Sequence, residues 1–547
     1  MAEYLHFSRD SRLYMEKDGY LWSIPVLDGF SFSQATNASE ITLNEMEDAA
    51  GRSRRGRKMF TDSLSAAEWS FSTYIRPFKS VGTKSNTNGV ADNTATHVHA
   101  VEEALWVAMA GKNVYLPASG KYKHGATGGA ITSLALAASG SGQTDSDRTA
   151  GTYQIAIPTA ASGTSTGATV AAGTGSNTGG TSAVITVVVN GSGTASFSIP
   201  ERGIGFDTGN TITIDSELIG GAAGDDNLVL VATSESLTSD ATDMDINFFD
   251  SSRAALGTFN LYYVFSDRSP GRLIYKLENA VVNEAAIDFD IDGIASINWS
   301  GMAGQIKEVP TGLNAGQITA SATFPNPGAV GALWVDTDDS DKLYISTSTT
   351  NSANSWYAAI SEGTGVNDTG NFIRNRLTQL TLAPETTFKA NTRFTDAAGN
   401  ANQSYEDSYS VAITGGNITI SNNISYLTPE ELGKVNQPIE HITGTRTVGG
   451  SVQCYLASSD AATNKSRDLF ADLVSDISTV INKFAVTLAI GGTDATKPRV
   501  QFSLPTCHLE IPSHSVEDVI SLETNFSGLG SGVGEGDEIA IKYLAGS

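Results

Sequence analysis

The 547-residue sequence predicts a mainly β protein of the α+β kind, in which one unit occurs twice. Three observations predict it. Short stretches that alternate apolar and polar residues recur along the chain. Turn formers separate them, with 55 glycines and many Ser, Thr and Asn. And Asn298–Gly301, NWSG, returns as NFSG at Asn525–Gly528, 227 positions later.

The first copy opens at Tyr20–Gln34 with two strand segments around a turn at Asp28–Gly29. A long polar stretch covers residues 35–67 and holds the basic run RSRRGRK. Glu68–Phe78 then alternates Trp69, Phe71, Thr73 and Ile75 against Ser70, Ser72, Tyr74 and Arg76, the pattern of a half-buried strand. His99–Gly111 reads as a helix with Val101, Leu105 and Ala108 on one face and Gly111 as its stop. Phe259–Phe265 is a strand, and Leu273–Gly301 supplies three short ones.

The second copy follows the same order. Residues 409–421 (YSVAITGGNITIS) read as two strand segments around a Gly–Gly turn, followed by a polar stretch to Gly450. Ser451–Leu456 is a strand. Ser466–Ile477 is an amphipathic helix carrying Leu469, Phe470, Leu473, Val474 and Ile477. Phe484–Ile490 mirrors Phe259–Phe265, and residues 500–528 close the unit. Leu277 precedes Asn298 by 21 positions, as Leu504 precedes Asn525. Chance similarity among Gly/Ser-rich strands explains neither the shared order nor this ungapped register.

Two stretches lack a counterpart. Residues 113–240 are rich in Gly, Ala, Ser and Thr yet contain TYQIAIP, SAVITVVVNGSGTASFSIP and TGNTITI, so an inserted all-β domain fits better than a disordered linker. Residues 311–364 carry a β-hairpin signal with Trp334, Leu343, Tyr344 and Trp356 as a small core. The expected division is therefore 1–112 with 241–310 for the first unit, 365–547 for the second, and two inserts that project from exposed loops.

Composition narrows the function. A formal charge of −25 opposes general binding to nucleic acid. Cys454 and Cys507 read as buried free thiols rather than a disulfide framework. No apolar run approaches the ~18–20 residues of a membrane span, and the N-terminal residues lack a signal-peptide pattern, so a soluble protein made without export is expected. DFDIDG at Asp288–Gly293 has Trp299 where a calcium loop needs Glu, and DTDDSD at Asp336–Asp341 lacks the central Gly. His97 and His99 have no third ligand nearby. GTSTG at Gly163–Gly167 lies in a low-complexity run, and the glycines of 528–536 precede no helix. No enzymatic constellation, cofactor site or metal site is assignable.

The stretches IPVLDGFSFSQATNASEITLNEM, SRRGRKMFTDSLSAAEWSFSTYIRPF, EEALWVAM, FNLYYVF and NAVVNEAAIDFDIDGIASINWSG together resemble the tail tube proteins of tailed bacteriophages. The resemblance covers roughly 1–112, 241–310 and 365–547. It implies a β-sandwich or barrel unit with a flanking helix, a non-enzymatic virion protein of the tail, made in the bacterial cytoplasm, without cofactor or membrane. The family forms hexameric rings whose inner sheets join into one barrel. With two units per chain, three copies would form a pseudo-hexameric ring, and stacked rings a tube that conducts phage DNA. Partners implied are the chain itself, other tail proteins (tape measure, terminator, baseplate or sheath) and DNA that passes without specific binding. An end ring or baseplate hub of the same fold, and a carbohydrate-binding adhesion protein suggested by the β-rich inserts, are the alternatives.

Site expectations follow from the same resemblance. Its long polar loop reaches a neighbouring ring, so Arg52, Arg54, Arg55, Arg57 and Lys58 are candidates to pair with acidic residues of another subunit, against a solvated loop or a DNA contact. Glu284, Asp288, Asp290 and Asp292 are candidates for an acidic lumen, against a solvated outer face.

Overall fold

The computed structural model describes the chain apart from residues 1–6, 8–9, 18, 41–49, 51–58, 81–95, 112–114, 117–120, 123–130, 138–141, 158–167, 172–180, 205, 207–208, 223–225, 235–236, 240–241, 249–255, 266–272, 340, 362–371, 385–393, 396–400, 404–407, 433–434, 458–464, 476–483, 495, 517, 531–535 and 547. The fold is mainly β. β1 (Arg12–Lys17), β2 (Tyr20–Ile24), β3 (Ser31–Glu40) and β4 (Met59–Tyr74) precede helix α1 (Glu103–Ala110). β5 (Met244–Asn247), β6 (Phe259–Val264), β7 (Ile274–Asp290), β8 (Ser296–Ala303) and β9 (Gln305–Glu308) come after it. Antiparallel pairing gives the spatial order β2-β1-β6-β7-β8-β4-β3, with β9 added to the first half of β7.

The C-terminal half repeats this path. It contains β10 (Gln379–Pro384), β11 (Tyr409–Val411), β12 (Ile413–Ser421), the hairpin β13 (Ile424–Leu427) and β14 (Glu440–Thr443), and β15 (Thr447–Tyr455). After α2 (Ser466–Ser475) come β16 (Phe484–Ile490), β17 (Arg499–Leu509), β18 (Ser513–Val516), β19 (Ile520–Leu529) and β20 (Ala540–Leu544). Their order is β11-β10-β16-β17-β19-β15-β12, with β20 on the first half of β17. Each half thus folds two sheets around one shared long strand. At the corner of β7 stands Asn279 with φ 54°, a left-handed conformation that Asn tolerates. At the corner of β17 stands Pro505, which donates no hydrogen bond and lies where the β16–β17 register shifts.

Several sequence expectations change here. Residues 273–301 form two strands, not three, because the alternation of β7 continues through its bulge at Asn283. Gly415 and Gly416 are inside β12, opposite Asp290 and Phe289, rather than in a turn. A side chain at Gly416 would collide with the Ser451 carbonyl and the Phe289 ring, so glycine is required by close approach. Helix α1 is buried on every side, not on one face. The polar stretch 35–67 is in part a strand arm, since β3 runs out to Glu40 and β4 returns from Met59.

The stretch between α1 and β5 has its own core. Ile185, Val187, Phe206, Ile212, Ile214 and Leu230 are fully buried between a three-stranded and a four-stranded sheet. The hairpin module does not stand free. Its Leu333, Val335, Leu343 and Ile345 pack on Tyr14, Leu21, Tyr262 and Ile274 of the first half. The Ile360 backbone donates to the Leu21 carbonyl and accepts from Ser23.

The repeated motif has a packing reason. Gly301 ends NWSG on β8, and a methyl group there would run into the Val281 carbonyl and the Trp69 indole. At Gly528 of NFSG the nearest neighbours are Leu504 at 3.0 Å, which can yield, and the Glu538 carbonyl and Val448, both at 3.3 Å, so the fit is looser than at Gly301. Gly301→Ala is expected to lose about 2–3 kcal/mol of stability and Gly528→Ala distinctly less. Thermal and urea melts of the two variants test this order; equal losses would refute the packing account.

Candidate assembly interface

The two halves meet strand to strand. The second half of β7 pairs with β12 from Glu284↔Ser421 to Asp290↔Gly415, so one sheet runs through both halves. The bulge at Asn283 turns its side chain to the joint, where Oδ1 accepts from Ile424 N–H at 2.7 Å. Buried Asn422 donates to the Met109 carbonyl at 3.1 Å, satisfying one of the last acceptors of α1. Helix α1 lies over this joint. Trp106 Nε1 donates to Tyr543 Oη at 2.7 Å, and Tyr543 donates to Glu102 at 2.6 Å. Trp106 also meets Trp299 of the first half edge-on and packs near Phe502 of the second. Burying an indole of this size contributes roughly 4–6 kcal/mol of transfer free energy. A second strand contact, β5 on β20, completes the joint.

The joint leaves two edges open. β12 has its place on β7, but β3, which holds the corresponding position in the first half, pairs only with β4 among the described residues. Likewise β18, which lies where the second half of β7 would fall, pairs only with β19. All four β18 residues are exposed.

One face of the continuous sheet is polar from edge to edge. Ser31, Ser70, Ser300 and Glu284 follow one another across β3, β4, β8 and β7, then Ser421 and Thr447 on β12 and β15. Asp288, Asn417, Ser451 and Asn525 form a parallel row. Ser72 donates to Asn298 at 2.6 Å, and Asn525 donates to Glu510 at 2.8 Å. Of the acidic candidates, Glu284, Asp288 and Asp290 lie on this face of β7, where they share it with Glu68, Glu510 and Glu523. Asp292 is exposed in the turn that follows, beyond the strand. No Lys or Arg occupies the described positions of this face within the paired strands, and Arg76 follows Tyr74 just past the end of β4. The basic candidates Arg52, Arg54, Arg55, Arg57 and Lys58 lie outside the described residues, as does GTSTG at 163–167.

The remaining motifs are structural. His99 Nδ1 lies 3.1 Å from Glu103 Oε2 in the interior. Cys454 and Cys507 are buried free thiols, pushed up by burial to about 11 and about 12. Asp339 pairs with Lys342 at 2.7 Å. Among the described residues no three His, Cys, Asp or Glu side chains gather to hold a metal, and no helix is long and apolar enough to cross a membrane.

A chain whose two halves share one sheet, with a further edge open at each end, has the build of a structural protein that works by association. Over 516 residues, 94% of its length, it is 23% identical to the tail tube protein pb6 of Escherichia phage T5, of which the match covers 69%. No family model matches the chain. The likeness to tail tube proteins thus spans both halves and the inserts, and it places the protein in the virion tail.

Glu102 gives the joint a pH dependence. Full burial raises its carboxyl from 4.5 to about 7, against the opposing hydrogen bond from Tyr543, while Glu103 on the same turn adds repulsion. The unfolded chain ionises near the ordinary value and the folded one holds its proton to about 7. Stability is therefore full below pH ~4.5, declines by about 3 kcal/mol as pH rises to ~7, and then levels. Glu102→Gln keeps the acceptor for Tyr543 and should remove most of that decline. Melts across pH 4–8 check it, and a variant with the wild-type slope would disprove it.

Proposed function

We propose that three copies of this chain close into a pseudo-hexameric ring, that rings stack into a tail tube, and that the polar sheet face lines a bore through which phage DNA passes. The open edges of β3 and β18 carry this reading. Inside the chain, β7 of one half receives β12 of the other. The strand receiving a neighbour in the second half is β18, and the strand offered by the first half is β3. A second copy fits head to tail, by the contact the chain already makes internally. Such heterologous contacts form a closed ring when their rotation closes, and closure pairs both open edges of the continuous sheet.

In this reading 1–112 with 241–310 and 365–547 are the two ring units, and 113–240 and 311–364 are insertions on the first of them. Glu284, Asp288 and Asp290 face the bore with the other carboxylates of the polar face, and Asp292 lies at its rim. Acidic walls repel phosphate, over only about 8 Å at physiological salt, which keeps the duplex off the wall without binding it. Arg52, Arg54, Arg55, Arg57 and Lys58, in the segment that connects β3 to β4, pair with acidic residues of an adjacent copy. The tape measure, a terminator and a baseplate or sheath are the remaining partners. The adhesion alternative has less support: in the 131–232 core the described aromatic side chains Tyr153, Phe197 and Phe206 pack inward or against it.

Negative-stain images of purified protein should show annuli with threefold outer and sixfold inner symmetry, and stacks of them. Discs that never stack would favour an end ring, and particles without a central channel would end the proposal. Ser515→Pro, on the free edge of β18, should leave the fold intact and abolish annuli, because an edge proline blocks strand addition. A third test reads the bore: Asp288→Lys with Asp290→Lys should make assembled tubes retain double-stranded DNA at 50 mM salt and release it at 200 mM, whereas wild-type tubes retain none at either. Equal retention by both would remove the bore assignment.

A further inference from the structure

The apolar side chains left exposed are concentrated at the two ends of the continuous sheet. One end is the arm end. There the β3–β4 arm and the β13–β14 hairpin touch, with Leu64 N–H donating to the Asn436 carbonyl at 2.9 Å and Asn436 N–H to Asp62 at 3.1 Å. Met59, Phe60, Leu432, Val435, Ile439 and Ile442 are exposed on these arms, and Leu432 has no cover at all at 104%. The opposite end is the rim of turns where β7 passes to β8, β15 stops, and β18 passes to β19. It exposes Ile291, Ile294, Tyr455, Val516, Val519 and Ile520, with Val516 at 76%. The strand registers place these groups at opposite ends, because Tyr74, Asp290, Gly415 and Tyr455 lie together at one end, and Ser421, Thr447 and Gly528 at the other.

Isolated exposed apolar residues are ordinary, but two sets at opposite poles of one molecule are a pairing pattern. We propose that the arm end of one copy seats on the turn rim of another, so that end-to-end stacking is driven by apolar burial, with a second copy of this chain as the occupant. This rests on the ring reading and deepens it. The two surfaces differ, so the contact is heterologous and does not close on itself, which is what an open stack needs. Charged residues flank both sets, Glu431 and Glu440 on the arm and Asp292, Arg374 and Asp518 on the rim, and the apolar groups are the part of the contact that needs no ion pair. The arm of the second half supplies Leu432, Val435, Ile439 and Ile442 without a basic run, so this seat is separate from any pairing by Arg52–Lys58.

The test is the double variant Leu432→Ser with Ile439→Ser, and its mate Val516→Ser with Val519→Ser on the other rim. Both pairs are exposed, and far-UV circular dichroism with a melt confirms that each variant is folded. Electron microscopy and sedimentation then separate rings from tubes. Single annuli from either variant, with mean tube length reduced at least about tenfold, are the expected result. A trace of arm variant should also shorten wild-type tubes, since it adds to a growing end and offers a poor seat to the next ring. Wild-type tube lengths in both variants overturn this inference and leave the ring reading standing. Loss of annuli in the wild-type protein itself overturns both.

Discussion

The ladder between β7 and β12 is the contact on which the molecule depends. It runs through seven residues of each strand and joins edges that would otherwise present unpaired N–H and C=O groups. Each backbone hydrogen bond there is worth only about 1 kcal/mol net. Its larger effect is geometric. It sets the two halves so that α1 is enclosed between them, and only then do Trp106, Tyr543 and Glu102 find one another. The contact is also directional: one half receives a strand and the other offers one. A chain built this way ends with one receiving and one offering edge unused.

The halves share a path but not a surface. In the first, Tyr14, Leu21, Tyr262 and Ile274 point out of the small sheet and are covered by the hairpin module. In the second, outward positions of the matching strands are polar, with exposed Gln379 and Thr381 on β10 and half-exposed Thr487 and Gln501 behind them. The module is thus part of the first half's packing rather than an appendage. The helices diverge as well. α1 is buried throughout, whereas α2 buries Leu469 and Leu473 and leaves Val474 exposed. In the proposed ring α2 would sit at the contact between copies.

Local pattern carried much of this into the sequence. Period-2 alternation located β4, β6 and β16 and marked β7 as strand without its full length, and Asp288 and Asp290 fell on one face for the same reason. What depended on distant neighbours was not readable. Gly415 and Gly416 look like a turn until Phe289 and Ser451 are known to press on them. Nothing near Asn422 announces that it reaches Met109, more than three hundred residues away. Glu102 looks like a helix-start carboxylate and proves to be fully enclosed. The strand joint was also hidden, because β7 and β12 are each half polar and read as ordinary strands of their own halves. The exposed apolar residues of the β13–β14 arm have no period within a polar stretch, so no pattern flagged them.

In the proposed tube the polar face and the apolar poles would serve different demands on the same strands. A wall past which a duplex slides must neither attract phosphate nor offer a base a flat surface to stack on. The face has Glu, Asp, Ser, Thr and Asn, no Lys or Arg at the described positions of its paired strands, and Tyr74 and Tyr455 near its end, where Arg76 follows Tyr74. Cohesion therefore cannot come from that face. It has to come from the edges, through backbone hydrogen bonds that are indifferent to side-chain charge, and from the ends, through apolar burial that salt does not screen. On a chain of net charge −25, opposite-charge contacts between copies are confined to local basic runs such as Arg52–Lys58. In the proposed tube, backbone pairing around the ring and apolar contact along the axis are modes of association that do not depend on side-chain charge, beside the local pairing proposed for Arg52–Lys58.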